Sequence, residues 1–166
     1  FQKIFEMIDK YNLYGKVAYP KKHSPANIPS LYRWAASSGG IFVNPALTEP
    51  FGLTLLEASS CGLPIIATDD GGPKEIHAKC ENGLLVDVTD INQLKIALEK
   101  GISNSSQWKL WSRNGIEGVH RHFSWNTHVR NYLSILQGHY QKSTIVSSSG
   151  IKESCLKGSS SLIKPH

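Results

Sequence analysis

The stretch from Ile41 to Ile76 constrains the fold more than any other part of the chain, because it carries two short apolar runs with a helical segment between them. Ile41-Phe42-Val43 is β-rich and is closed by Asn44-Pro45, and Pro64-Ile65-Ile66-Ala67-Thr68 is a second such run, closed by Asp69-Asp70-Gly71-Gly72. Between them, Leu53, Leu56 and Ala58 recur at helical spacing over Leu53 to Ser60, and Gly62 followed by Pro64 stops the run. This is a βαβ unit, which commits the chain to a parallel sheet with crossover helices.

The turn that enters this helix, Phe51-Gly52-Leu53-Thr54, offers backbone N–H groups and the positive end of a helix dipole, a setting that suits a phosphate. Two carboxylates flank it: Glu49 on the loop, and Glu57 about one turn into the helix, where its side chain leans back toward the N-terminus. Both can face one ligand and accept hydrogen bonds from its hydroxyls. The spacing alone is equally compatible with a Glu stabilised by the helix dipole and an exposed loop Glu.

On either side the chain reads as more of the same sheet. Ile4, Phe5, Ile8 and Tyr11 mark a helix at the start, and Lys16-Val17-Ala18-Tyr19 reads as a strand ended by Pro20. A helix over Ser30 to Ser37 follows and closes at Gly39-Gly40. Pro73 to Ala78 is a short helix and Leu84-Leu85-Val86 a final strand, giving four strands in all. Asp90 caps a helix from Ile91 to Lys100, with Ile91, Leu94, Ala97 and Leu98 on one face and Gly101 as its stop. A further helix, opened by Asn104 or Ser105, carries Trp108, Trp111 and Ile116 to Val119, and Ser124 caps a last one from Trp125 past Leu136. These three helices are expected to pack on the sheet, with Trp108 and Trp111 in the packing rather than under a ligand.

Composition limits the function classes. With 40% hydrophobic and 9% aromatic residues in 166, the chain fits one globular domain, and no apolar run approaches a membrane span. No leader opens it, so the expectation is a cytoplasmic protein. Cys61, Cys80 and Cys155 are odd in number and widely spaced, which favours reduced thiols over disulfides or zinc. His120 and His122 lack a third ligand nearby in sequence and read as solvated surface, so no metal is expected. The net charge of +5 is concentrated at the end: residues after Tyr140 contribute +3, leaving +2 for the rest, with no basic stripe of the kind that tracks nucleic acid. From Gln141 to His166, eight serines, four lysines and two glycines among 26 residues read as a disordered tail or linker, so the domain is expected over residues 1–140.

Asn44-Pro45-Ala46, Glu49-Pro50-Phe51-Gly52-Leu53-Thr54, Cys61-Gly62-Leu63-Pro64 and Gly71-Gly72-Pro73 together resemble the nucleotide-sugar-binding half of retaining GT-B glycosyltransferases, and within them the sucrose-phosphate synthases. The likeness runs from about Gly15 to Gln137 and includes Tyr19-Pro20-Lys21, Asn82-Gly83-Leu84-Leu85-Val86-Asp87 and His122-Phe123-Ser124-Trp125. It implies a Rossmann-like α/β fold, a parallel sheet with helices on both faces, forming the C-terminal half of a GT-B enzyme. The implied reaction moves glucose from UDP-glucose or another nucleotide-glucose onto fructose 6-phosphate, with no cofactor. The resemblance casts Glu49 as the catalytic carboxylate meeting hydroxyls of the transferred glucose. Amides around Phe51, Gly52, Leu53 and Thr54, which follow Pro50, would hold the diphosphate, Glu57 would meet the ribose, and the loop after Tyr19, with Pro20 and Lys21, would touch the base. An upstream Arg/Lys pair and the acceptor-binding N-terminal domain, typical of the family, are not in this stretch, which therefore reads as N-terminally truncated. Sucrose synthase, another retaining GT-B enzyme and a non-catalytic nucleotide-sugar module are the alternatives; an oxidoreductase domain would need a Gly-x-Gly-x-x-Gly that is absent.

Overall fold

The computed structural model describes residues 2–19 and 24–137. Its centre is a parallel sheet of three strands in the order β1 (Phe42–Asn44), β2 (Ile65–Thr68) and β3 (Gly83–Val86). Val43 lies opposite Ile66 in the first pairing, and Ile66 opposite Leu84 in the second. Every residue of β2 is buried, as a central parallel strand requires, and this explains its unbroken Ile-Ile-Ala-Thr composition.

The helices are α1 (Gln2–Lys10), α2 (Ile28–Ser37, after a 3₁₀ turn at Pro25–Asn27), α3 (Leu53–Ser60), α4 (Gly72–Cys80), α5 (Ile91–Ser103) and α6 (Ser105–Phe123). Residues 125–137 form a further helix, α7. Alternate residues of β2 point into two different cores. On one face Ile65 and Ala67 pack with Leu55 of α3 and with Ile76 and Cys80 of α4. On the other, Ile66 packs with Val86 and with Ala97 of α5, flanked by Leu94 and Leu98. Helices therefore cover both faces of the sheet, as the sequence pattern requires.

Small residues set how closely α6 approaches. A Cβ on Gly118 would sit 2.6 Å from Cys80 Sγ, and one on Gly115 would lie 3.4 Å from Ser59 Cβ and Asn82 Cβ. In the same seam the buried Asn82 donates from Nδ2 to Ser59 Oγ at 2.6 Å, tying the start of β3 to α3. Trp108 is half-buried and donates its indole N–H to Gly40 O at 2.8 Å, a packing role.

Four expectations are corrected. Lys16-Val17-Ala18-Tyr19 is not a strand: Lys16 is held in a turn by its N–H bond to Leu13 O, and Val17 and Tyr19 are exposed, so the sheet has three strands among the described residues. The Tyr19 ring packs edge-on against Phe5 of α1, with centroids 5.6 Å apart. Gly101 does not stop α5; it is buried within the helix, where a Cβ would come 2.3 Å from Ile41 Cδ1, so close packing rather than termination requires it. Ile91, on the helix face expected to be buried, is 80% exposed at the first helical position, whereas Ala97 on that face is buried. Finally, α6 joins the core through α3 and α4 rather than lying directly on the sheet, and α7 is exposed apart from half-buried Thr127. The expected tail over residues 141–166 lies outside the described residues.

Candidate functional site

The loops that leave the carboxyl ends of β1 and β2 are joined into one structure. Gly72 N–H donates to Glu49 O at 2.7 Å, and Glu49 and Gly71 form a parallel bridge. Thr48 Oγ1 donates to Asp70 Oδ2 at 2.9 Å. The contact is so close that a Cβ on Gly71 would fall 2.3 Å from Glu49 O, and one on Gly72 2.5 Å from Phe51 O. Gly71 also has φ +81°, which favours glycine on backbone grounds alone.

Glu49, half-buried, organises the turn into α3. Its Oε1 accepts from Gly52 N–H at 3.0 Å and its Oε2 from Asn44 Nδ2 at 3.0 Å, while Asn44 Oδ1 accepts from Ala46 N–H at 3.1 Å. The Gly52 amide, then the Asn44 side chain, hold the carboxyl below the usual glutamate range. Gly52 itself is buried in the left-handed region, φ +77°, with Ile76 Cδ1 2.7 Å from where a Cβ would stand. The structure thus gives Glu49 a role in building the loop that the sequence did not reveal. The Gly52 amide serves this carboxylate, and the amides of Leu53 and Thr54, at the first two helical positions, have no partner four residues back in α3. Leu53, Thr54, Phe51 and Pro50 are all exposed around this helix start.

Glu57 is exposed on α3 and faces a separate hollow of about 390 Å³. Pro25, Ile28, Pro29, Tyr32 and Arg33 from the 3₁₀ turn and α2 form its other wall, with Ser60 and Cys61 at its floor. None of these wall residues was singled out from sequence. Tyr32 packs edge-on against Phe42 of β1, with centroids 5.5 Å apart, which anchors α2 to the sheet. Burial, followed by the nearby Glu57 carboxylate and Cys61, raises the Tyr32 phenol above its ordinary range. Glu49 thus stands on the loop at the carboxyl end of β1, a place where α/β folds bind ligands, whereas Glu57 lies in the middle of α3 and lines the separate hollow, whose walls do not include Glu49. Pro20 and Lys21 lie outside the described residues; Tyr19 stands on the segment after α1, and Pro25 follows that segment into the hollow.

A second hollow, about 460 Å³, lies where α3, α4, α6 and α7 meet and is lined by Leu53, Leu56, Lys79, Phe123 and Trp125. Its carboxylate, Glu75, is held by Lys79 at 2.6 Å, and the Lys79 ammonium also sits 5.1 Å from the Phe123 ring centroid. Among the described residues no group of three His, Cys, Asp or Glu converges as a metal site would require, and no helix is long and apolar enough to cross a membrane.

Residues 1–118 match the family model described as glycosyl transferases group 1. The chain belongs to that family. Sucrose-phosphate synthase 4 of Arabidopsis thaliana is 51% identical to this glycosyltransferase domain over 131 residues, 79% of the chain and 12% of the relative. Sucrose-phosphate synthase of Zea mays is 49% identical over 135 residues, covering 81% and 12% respectively. The glycosyltransferase domain therefore spans about an eighth of the length of these curated relatives. Among solved structures, sucrose-phosphate synthase from Thermosynechococcus elongatus aligns with TM-score 0.65 and 27% identity over 88% of this chain and 34% of that one. Anabaena HepE, solved in complex with UDP, aligns with TM-score 0.70 at 21% identity over 82% and 36%, a likeness of fold. Both neighbours are GT-B glycosyltransferases, and the two-faced parallel sheet of this domain is part of that fold.

Proposed function

We propose that this domain is the donor-binding part of a sucrose-phosphate synthase, which transfers glucose with retention from UDP-glucose to fructose 6-phosphate. The observation that supports the proposal is that Glu49 accepts from the Gly52 amide at the turn into α3, next to exposed Leu53 and Thr54, while Glu57 further along the same helix lines a hollow of about 390 Å³. Identity near one half to sucrose-phosphate synthases from two plants supports the choice within the family. In this reading the amides at the helix start receive the diphosphate, Glu57 accepts from ribose hydroxyls, and Glu49 presents its remaining lone pairs to hydroxyls of the glucose. Tyr19, Pro20 and Lys21 are the residues that this reading gives to the base. The enzyme works in the cytoplasm, and fructose 6-phosphate is held by the rest of the parent protein.

The chemistry assigns these residues binding and positioning rather than proton transfer. Glycosyl transfer with retention develops charge on the departing diphosphate, and amides fixed at a helix start oppose that charge without reorganising. A group holding glucose hydroxyls limits the anomeric carbon to one approach.

The test is a transfer assay on the full-length parent with fructose and with fructose 6-phosphate as competing acceptors, together with calorimetry of UDP on the 166-residue chain. The expected outcome is sucrose 6-phosphate from the parent, UDP binding by the chain at a Kd between about 0.1 and several mM, and no transfer by the chain alone. Preference for unphosphorylated fructose would move the assignment to sucrose synthase; absence of transfer by the parent with intact UDP binding would make it a nucleotide-sugar module.

A further inference from the structure

We propose that Arg33 selects the base of the donor nucleotide by donating to the O4 carbonyl edge of uracil. The inference rests on the donor reading above and adds to it the residue that decides which nucleotide is used.

The hollow beside α3 has a polarity that a ligand must match. One wall, made by Pro25, Ile28 and Pro29, carries no side-chain donor or acceptor and suits the flat face of a base or sugar. Glu57 offers acceptors, and Arg33 offers five N–H donors and no acceptor. The two do not neutralise each other. The ion pairs formed among the described residues are Lys79–Glu75 and Lys95–Glu99, and Arg33 donates instead to Ser30 Oγ on its own helix at 3.3 Å. A molecule lying between them must therefore present hydroxyl donors to Glu57 and acceptors to Arg33.

A nucleoside does this only with certain bases. With ribose hydroxyls on Glu57, the base extends along the apolar wall and its outer edge meets the guanidinium. Uracil presents a carbonyl at C4, a good acceptor for a planar fork of donors. Cytosine, identical in ring size, carries an amino group there, which sets donor against donor and leaves the guanidinium without its partner. Adenine likewise carries an exocyclic amino group. The carrier is rigid enough for such discrimination: Tyr32, next to Arg33, is packed on Phe42 of β1, and the Pro29 carbonyl lies 3.8 Å from Cys61 Sγ at the end of α3. The wall that bears Arg33 and the helix that bears Glu57 are thus fixed to one another and to the sheet.

Calorimetric titration of the 166-residue chain with UDP, CDP and ADP tests the assignment. Wild type is expected to bind UDP at least tenfold more tightly than CDP or ADP. Arg33→Ala should weaken UDP about tenfold and CDP less than twofold, so that the preference disappears, and Arg33→Lys, which keeps the charge but loses the fork, should not restore it. Arg33 is exposed, so an unchanged thermal midpoint is expected of both variants and is checked alongside. Equal weakening of UDP and CDP in Arg33→Ala would mean that Arg33 serves the diphosphate and would overturn the proposal, as would equal binding of the two by wild type. Wild type that binds no nucleotide would remove the donor reading itself, whereas UDP binding that needs Glu57 but ignores Arg33 would remove only the base assignment.

Discussion

Replacing Glu49 and Glu57 separately by alanine should give two different outcomes, although the residues look like a matched pair in sequence. Glu57 is exposed and faces the hollow, so Glu57→Ala should leave stability within about 0.5 kcal/mol of wild type, the usual range for surface changes. Glu49→Ala removes the acceptor of the Gly52 N–H and of Asn44 Nδ2, both at 3.0 Å. A hydrogen bond to a charged group is worth roughly 1.5–3 kcal/mol and a stranded buried donor costs about 1–3 kcal/mol. Gly52 is buried and loses its partner outright, whereas Asn44 can turn to water at the half-buried loop, so the net loss should be about 2 kcal/mol rather than the sum. For a domain of this size that is roughly 6–10 °C in thermal midpoint. Urea and thermal unfolding of the 166-residue chain, followed by circular dichroism, measure it. The sign of the pH dependence adds a second check. Because the folded carboxyl titrates below the ordinary value, its stabilisation is present above about pH 4.3 and is lost as pH falls through the folded value. The gap between wild type and Glu49→Ala should therefore narrow below about pH 4. A Glu49→Ala protein as stable as Glu57→Ala at pH 7, with UDP affinity lost in both, would refute the structural role argued for Glu49.

Other outcomes follow from the same contacts. Gly71→Ala combines a positive φ with a Cβ 2.3 Å from Glu49 O and should cost about 2–4 kcal/mol, measured by urea midpoint. Gly118→Val should separate α6 from α4 at Cys80 Sγ, 2.6 Å from the added Cβ, and destabilise by about 2 kcal/mol or more, whereas Gln107→Ala on the same helix should not. Burial pushes the Cys80 thiol up to about 11, so peptide mapping after iodoacetamide at pH 8 should find the half-buried Cys61 alkylated well before Cys80.

The central βαβ unit was legible in the sequence because its signals are local. Leu53–Ser60 was expected as a helix and is one, bounded by Gly52 and by Gly62, both at positive φ. The Asp90 and Asn104 caps were equally local, each accepting from amides two or three residues on. Errors arose where distant parts of the chain decide. Whether Lys16 to Tyr19 joins the sheet depends on whether an edge strand accepts it, and no residue in that run encodes this. Gly101 carries the mark of a helix stop but is required by Ile41, sixty residues earlier in the chain. The hollow beside Glu57 was invisible for the same reason: Pro25, Tyr32 and Arg33 meet Glu57 only once α2 has docked on β1. Tyr32 pairs with Phe42, and nothing in the spacing of α2 points Arg33 at a ligand.

The bond between Glu49 and Gly72, and the absence of a Cβ at Gly71, also govern how this domain can be re-engineered. Here residues 45–52 cannot be transplanted alone, because a grafted loop of different length would meet the Gly71-Gly72 backbone with neither room nor a matching carbonyl. The exchangeable unit is the pair of loops together with Asn44 and Thr48, which bind the first loop to its own strand and to Asp70. A chimaera that carries both loops should fold where either single exchange does not, so that libraries aimed at new donors should vary the two segments jointly.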